Sequence, residues 1–237
     1  MPKPYFIFKH FTVHHDKSSM KVGTDAVLLG AWADISGAER ILDIGTGSGV
    51  IALMLAQRSN AIIDAIDIDE ISCAQANENF KASLWAERLK AKNFSLKEFT
   101  EKKFGKYNLV VSNPPYFTDS YKPADERRNS ARHNDLLPFS ELIDCTAKLL
   151  SGNGKFCVII PVKESETFIS IAEKHGLSPS RITTLFPTSE KSAFRKLILF
   201  SFKKRTVSYD DLIIEEAGPH DYSKEYKELT KEYYTIF

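Results

Sequence analysis

Asp43-Ile44-Gly45-Thr46-Gly47-Ser48-Gly49 joins two apolar runs, and no other stretch limits the possible folds of this chain so tightly. Arg40 to Ile44 reads as a short buried strand, and Val50 to Ala56 as the apolar side of the helix after it. Glycines at 45, 47 and 49 let the backbone turn sharply and let a ligand approach with no Cβ in the way. Taken alone, such a triplet also suits a plain strand-to-helix turn. The context narrows it. A second strand, Ala61 to Ile66, ends in Asp67, 22 residues past Gly45, where a doubly wound fold places the acid that accepts bonds from a ribose. The spacing is Gly-x-Gly-x-Gly with Asp43 just before it, not the dinucleotide Gly-x-Gly-x-x-Gly. A carboxylate there repels a pyrophosphate and attracts an ammonium group. S-adenosylmethionine carries that group and no phosphate, so it is the expected cofactor, ahead of NAD or FAD.

Seventy residues after Asp43, the strand Asn108 to Ser112 runs into Asn113-Pro114-Pro115-Tyr116. An exocyclic amine of a base, or a carboxamide nitrogen, is a poor nucleophile because its lone pair is delocalised, so geometry must do most of the work. The Asn113 side-chain oxygen and the Pro114 carbonyl are suited to accept its two N–H bonds and aim the lone pair at a methyl carbon. Consecutive prolines fix φ and remove two donors, which keeps the acceptors rigid. Tyr116, with Phe117 behind it, offers a stacking face worth about 1–3 kcal/mol per base.

At 237 residues, 43% hydrophobic and 27% charged, the chain can bury the core of one α/β domain. The amino-terminal residues lack a long apolar run, and no stretch approaches the roughly 20 apolar residues of a membrane span, so a cytoplasmic protein is expected. Cys73, Cys145 and Cys157 have no metal-ligand spacing and read as core fillers, so no metal is expected. Strand and helix patterns alternate from 40 to 202. Weak strand character near Ala91 to Phe94 is followed by a helix from about Pro138 to Leu150, the strand Lys155 to Ile160 and a helix from about Lys163 to His175. Strands near Arg181 to Phe186 and Phe194 to Phe202 close the series. The pattern predicts a seven-strand, Rossmann-like α/β sheet of the class I methyltransferase type. It is expected to be mostly parallel, with helices on both faces and an antiparallel hairpin at the edge.

Charge is uneven along the chain. The formal net charge is +1, yet residues 209–237 hold eight acids against three lysines, which leaves 1–208 at +6. Basic residues gather at Lys9 to Lys21, at Arg88 to Lys106 and at Lys122 to His133. The second group, interleaved with glutamates, reads as a solvated face. The third follows Asn-Pro-Pro-Tyr directly, where Arg127, Arg128 and Arg132 are suited to hold phosphates beside a reacting base.

Phe8 to Val13, Met20 to Trp32, the glycine loop, Ser112 to Phe117, Ser130-Ala131-Arg132-His133 and the ending Tyr222 to Phe237 together resemble the bacterial tRNA(Val) adenine-37 N6-methyltransferase family. The resemblance spans essentially the whole chain. Its least specific part is Asn-Pro-Pro-Tyr, shared with DNA amino-methyltransferases, rRNA guanine methyltransferases and protein glutamine methyltransferases. Its most specific part is Met20 to Trp32, placed so near the amino terminus. The resemblance implies N6-methylation of an anticodon-loop adenine in tRNA with S-adenosylmethionine as donor, by a single methyltransferase domain over 1–237. Residues 1–35 would be a segment closing over substrate and cofactor, and 206–237 an acidic extension. By motif, Asp43, Gly45, Thr46, Gly47 and Gly49 would line the methionine end, Asp67 would hold the ribose, Ile68 would cover an adenine face and Thr24 would help close the pocket. Asn113, Pro114, Pro115 and Tyr116 would carry the chemistry; Lys21, Phe117, Arg127, Arg128, Arg132 and His133 would bind substrate. One departure stands out. Where such enzymes place an Asp for the adenine amino group, this chain has Asn93-Phe94-Ser95-Leu96, so Ser95 or the backbone at Leu96 must serve. The alternatives are a protein glutamine N5-methyltransferase acting on release factors and a non-catalytic RNA-binding module. A DNA adenine methyltransferase would need a recognition domain for which the chain has little room.

Overall fold

The computed structural model describes residues 3–18, 20–115 and 137–237. A hairpin of β1 (Tyr5–Ile7) and β2 (Thr12–His14) comes first, then α1 (Thr24–Trp32), β3 (Arg40–Ile44), α2 (Val50–Arg58), β4 (Ile62–Asp67) and α3 (Glu70–Lys81). Next come β5 (Leu89–Asn93), α4 (Leu96–Glu101) and β6 (Tyr107–Ser112). The chain ends with α5 (Phe139–Leu149), β7 (Leu150–Pro161), α6 (Ser165–Lys174), β8 (Ser178–Phe186), β9 (Arg195–Ser201), β10 (Ser208–Ile213) and α7 (Lys224–Thr230).

The main sheet runs β10-β8-β9-β7-β6-β3-β4-β5, parallel throughout except that β9 is antiparallel to both neighbours. The central strands β3, β6 and β9 and the second half of β7 are apolar at most positions because each face is covered. In β7, Cys157 and Ile159 enter the core under α1 and α2, while Phe156, Val158 and Ile160 enter the one under α5 and α6. Leu197 and Leu199 of β9 split from Ile198 and Phe200 in the same way.

The sheet has eight strands where the sequence pattern predicts seven. The addition is β10, which pairs with β8 from Ser208↔Arg181 to Ile213↔Phe186. It comes from the acidic segment and leaves its first four residues exposed, a charged edge strand with no alternation to betray it. The β8–β9 hairpin is antiparallel as expected, but it sits one strand in from that edge.

Sheet order also locates the functional edge. From β3 the chain goes outward to β4 and β5 and then returns to lay down β6 on the other side. Helices leaving β3 and β6 diverge there, which opens a crevice beyond the carboxyl ends of those strands. The glycine loop ends β3 and Asn113 follows β6, and Ile44 pairs with Ser112 across the gap.

Candidate active site

The Gly45 and Thr46 amides both donate to the Ile66 carbonyl, at 2.9 and 3.0 Å, so the loop is bent over the end of β4. Gly45, Gly47 and Gly49 take φ of 72°, 53° and 85°, in the left-handed region that favours glycine. At Gly49 the packing is as strict as the backbone: a Cβ would lie 2.5 Å from Phe80 Cε1. At Gly45 a Cβ would meet nothing within 4 Å, so that side of the loop faces open space where a ligand can approach.

Asp43 is fully buried behind the loop. Its Oδ2 accepts the Thr46 hydroxyl at 2.7 Å, and its Oδ1 has no hydrogen-bond partner among the described residues. Burial pushes its carboxyl up to about 7; the Thr46 hydroxyl opposes this and the nearby Asp67 charge adds to it. A buried carboxylate with an unused oxygen suits a cationic donor, which is the property expected of a site for the ammonium group of S-adenosylmethionine. Asp67 accepts the Gly47 amide at 2.8 Å and the Asp69 amide at 3.0 Å, and burial raises its carboxyl as well. Asp69 caps α3 by accepting from the Ile71 and Ser72 amides. Between the two acids, Ile68 is 55% exposed, an apolar side chain turned to solvent beside a polar rim.

Asn93 donates to the carbonyls of Asp67 and Ile68 at 3.0 and 2.8 Å, tying the end of β5 to the end of β4. In the sequence it marks only the place of a missing acid. Ser95 is the N-cap of α4: its Oγ donates to Glu98 Oε2 at 2.7 Å and accepts the Glu98 amide at 3.3 Å. Leu96 is buried in the core below. The Ser95 side chain is thus engaged with Glu98, and the backbone at 95 and 96 forms the first turn of a helix.

Ser112 locks β6 to β3 by donating its hydroxyl to the Ile44 carbonyl at 3.1 Å. Asn113 follows, half-buried, with Pro114 buried and Pro115 exposed. Tyr116, Phe117, Arg127, Arg128, Arg132 and His133 lie outside the described residues. Thr24 and Lys21 are exposed near the start of α1, where Asp25 receives Arg195 Nε at 2.8 Å. Arg195 pairs with Pro161 at the carboxyl end of β7, so α1 begins at the same edge of the sheet as Asn113. A cavity of about 1000 Å³ lies between the start of α1 and the carboxy-terminal segment, walled by Val22, Thr24, Phe194, Tyr222, Tyr226 and Phe237, and neither the glycine loop nor Asn113 lines it. Among the described residues no group of His, Cys, Asp or Glu is arranged to hold a metal ion, and no helix is long and apolar enough to cross a membrane.

Residues 17–163 match the methyltransferase small domain. Over 234 residues, 99% of both chains, the sequence is 48% identical to the tRNA1(Val) (adenine(37)-N6)-methyltransferase of Phocaeicola vulgatus. It is 47% identical to the protein of that name from Flavobacterium psychrophilum, covering 97% of this chain and 98% of the other. Among solved structures, a predicted O-methyltransferase from Agrobacterium tumefaciens superposes with a TM-score of 0.67 at 20% identity, covering 88% of this chain and 96% of that one. The geranyl diphosphate C-methyltransferase of Streptomyces coelicolor, solved with S-adenosyl-L-homocysteine, gives 0.52 at 12% identity over 70% of this chain and 71% of that one. Both likenesses are of fold.

Proposed function

The chain belongs to the tRNA1(Val) (adenine(37)-N6)-methyltransferase family, and on that premise we propose that it methylates N6 of adenine 37 in tRNA(Val), using S-adenosylmethionine. The observation that carries this reading is the place of Asn113, one residue past a strand end hydrogen-bonded to the glycine-loop strand, at the crevice where the sheet order reverses.

When bound, S-adenosylmethionine supplies an electrophilic methyl group on a sulfonium centre. Asp43 would pair with the amino group of its methionine portion, Asp67 would accept from the ribose hydroxyls and Ile68 would cover one side of its adenine. Asn113 and the Pro114 carbonyl accept the two N–H bonds of the target N6. As that nitrogen turns tetrahedral those bonds strengthen, so they stabilise the transition state more than the bound substrate. Tyr116 and Phe117 stack on the base, which must first leave the anticodon-loop stack. Arg127, Arg128, Arg132, His133 and Lys21 hold the flanking backbone. Residues 1–35 close over this site within one methyltransferase unit, 206–237 extend it, and the reaction takes place in the cytoplasm with its tRNA.

Incubating the protein and methyl-labelled S-adenosylmethionine with unmodified tRNA, then digesting to nucleosides, and in parallel with a release factor, then digesting to peptides, tests the reading. Label should appear in N6-methyladenosine from position 37 of tRNA(Val). Label in a release-factor glutamine instead, or no transfer with binding intact, would replace it.

A further inference from the structure

Past the end of β2 the His15 amide still donates to the Pro4 carbonyl at 2.9 Å, but beyond it residues 16–18 cross beside the glycine loop with no strand to pair with. Their backbone groups still need partners. Two buried amides on one face of α3 supply them. Gln75 accepts the Ser18 amide at 2.8 Å and the Lys17 amide at 3.3 Å, and donates to Asp16 Oδ1 at 2.8 Å. One turn on, Asn79 accepts the His14 amide at 3.0 Å and donates to the His14 carbonyl and to the Ser48 carbonyl of the glycine loop, both at 2.8 Å. Gln75 is fully buried and Asn79 nearly so. Ser72, a turn earlier, meets Ser18 Oγ at 3.2 Å and donates to Asp69, the cap that follows Asp67. Ser18 Oγ would lie 3.6 Å from a Cβ at Gly47. One helix face therefore joins the amino-terminal segment to both ends of the candidate cofactor site.

We propose that Gln75 and Asn79 are positioning residues for S-adenosylmethionine: they hold residues 14–18 as a side wall of the glycine loop and fix the loop at Gly47 and Ser48. The inference rests on the function proposed above and deepens it. Neither residue touches the ligand. Each acts on a backbone that does, so a loosened wall must be reordered on binding, which weakens affinity but leaves the chemical step intact.

Gln75→Glu keeps the acceptor for Lys17 and Ser18 but sets a carboxylate against Asp16. It should raise KM and Kd for S-adenosylmethionine about tenfold while kcat stays within about threefold, as expected for a buried hydrogen bond turned into a repulsion. Asp16→Asn in the same chain returns a donor opposite the new carboxylate and should restore both constants to within about threefold of the original. Asn79→Ala should act in the same direction, with a lower thermal midpoint. A lower midpoint for Gln75→Glu with unchanged KM and Kd would overturn the inference, as would a raised Kd that Asp16→Asn leaves unrepaired. If the unaltered protein bound no S-adenosylmethionine in calorimetry, the proposed function itself would fall, a result distinct from either.

Discussion

Asn113→Ala removes an acceptor whose bond strengthens only as the target nitrogen becomes tetrahedral. Turnover should fall by about two orders of magnitude or more while S-adenosylmethionine affinity stays within a few fold, read from single-turnover rates and calorimetry. Asp43 invites a test by pH. Its carboxyl lies at about 7 in the folded protein against 3.8 as its ordinary value, so the fold retains a proton that the unfolded chain releases. Between those values stability falls as pH rises, and above about 7 the penalty is complete. Asp43→Asn lacks that titration. The mutant's thermal midpoint should therefore gain on the native one as pH rises from 5 to 8, and S-adenosylmethionine, by pairing its ammonium with the carboxylate, should narrow the gap. A gap independent of pH would show that Asp43 is not titrating there. At this scale Asp43, Asp67 and the glycines are legible in the sequence, because strand end, loop and acid have a fixed spacing. Gln75, Asn79 and Asn93 are not: an amide inside a helix or at a strand end looks solvated until its distant backbone partner is known.

At the scale of elements, the turn after β5 carries the clearest reading. Ser95→Ala removes the α4 cap and should lower stability by about 1 kcal/mol in urea unfolding. An accompanying loss of S-adenosylmethionine affinity well beyond that expected from a frayed helix end would give Ser95 a ligand role besides its cap. β3, β4, β6 and the second half of β7 are legible as apolar runs bounded by turns, because a strand covered on both faces is apolar at most positions. α4 escapes a reading by periodicity because it has six residues, too few for the pattern to register. β1 and β2 escape it because they have three residues each. β10 is hidden because four of its six residues face water.

The molecule as a whole divides its charge, with +6 over residues 1–208 and −5 over 209–237. Replacing Arg127, Arg128 and Arg132 together by alanine should weaken binding to every tRNA tested. It should also flatten log affinity against log salt by about 0.7 to 0.9 for each phosphate no longer held. Unchanged slope and affinity would move tRNA binding to the basic segment from Lys9 to Lys21. The general architecture is legible because strand and helix patterns alternate, but the meeting of the two chain ends is not, since no local pattern encodes a pairing across the whole sequence. Phe8 bridges to Tyr234, the Lys9 amide donates to the Tyr233 carbonyl at 2.8 Å, and Lys9 Nζ reaches the Lys231 carbonyl, 222 residues away. On the ribosome, then, the hairpin that leads into the wall of the glycine loop is made before the sheet, and this partner follows only after the last sheet strand. In a chain truncated after residue 214 the hairpin loses that partner and keeps only its contacts with α3 and the neighbouring core, so protease should cut before His14 faster than in the whole chain.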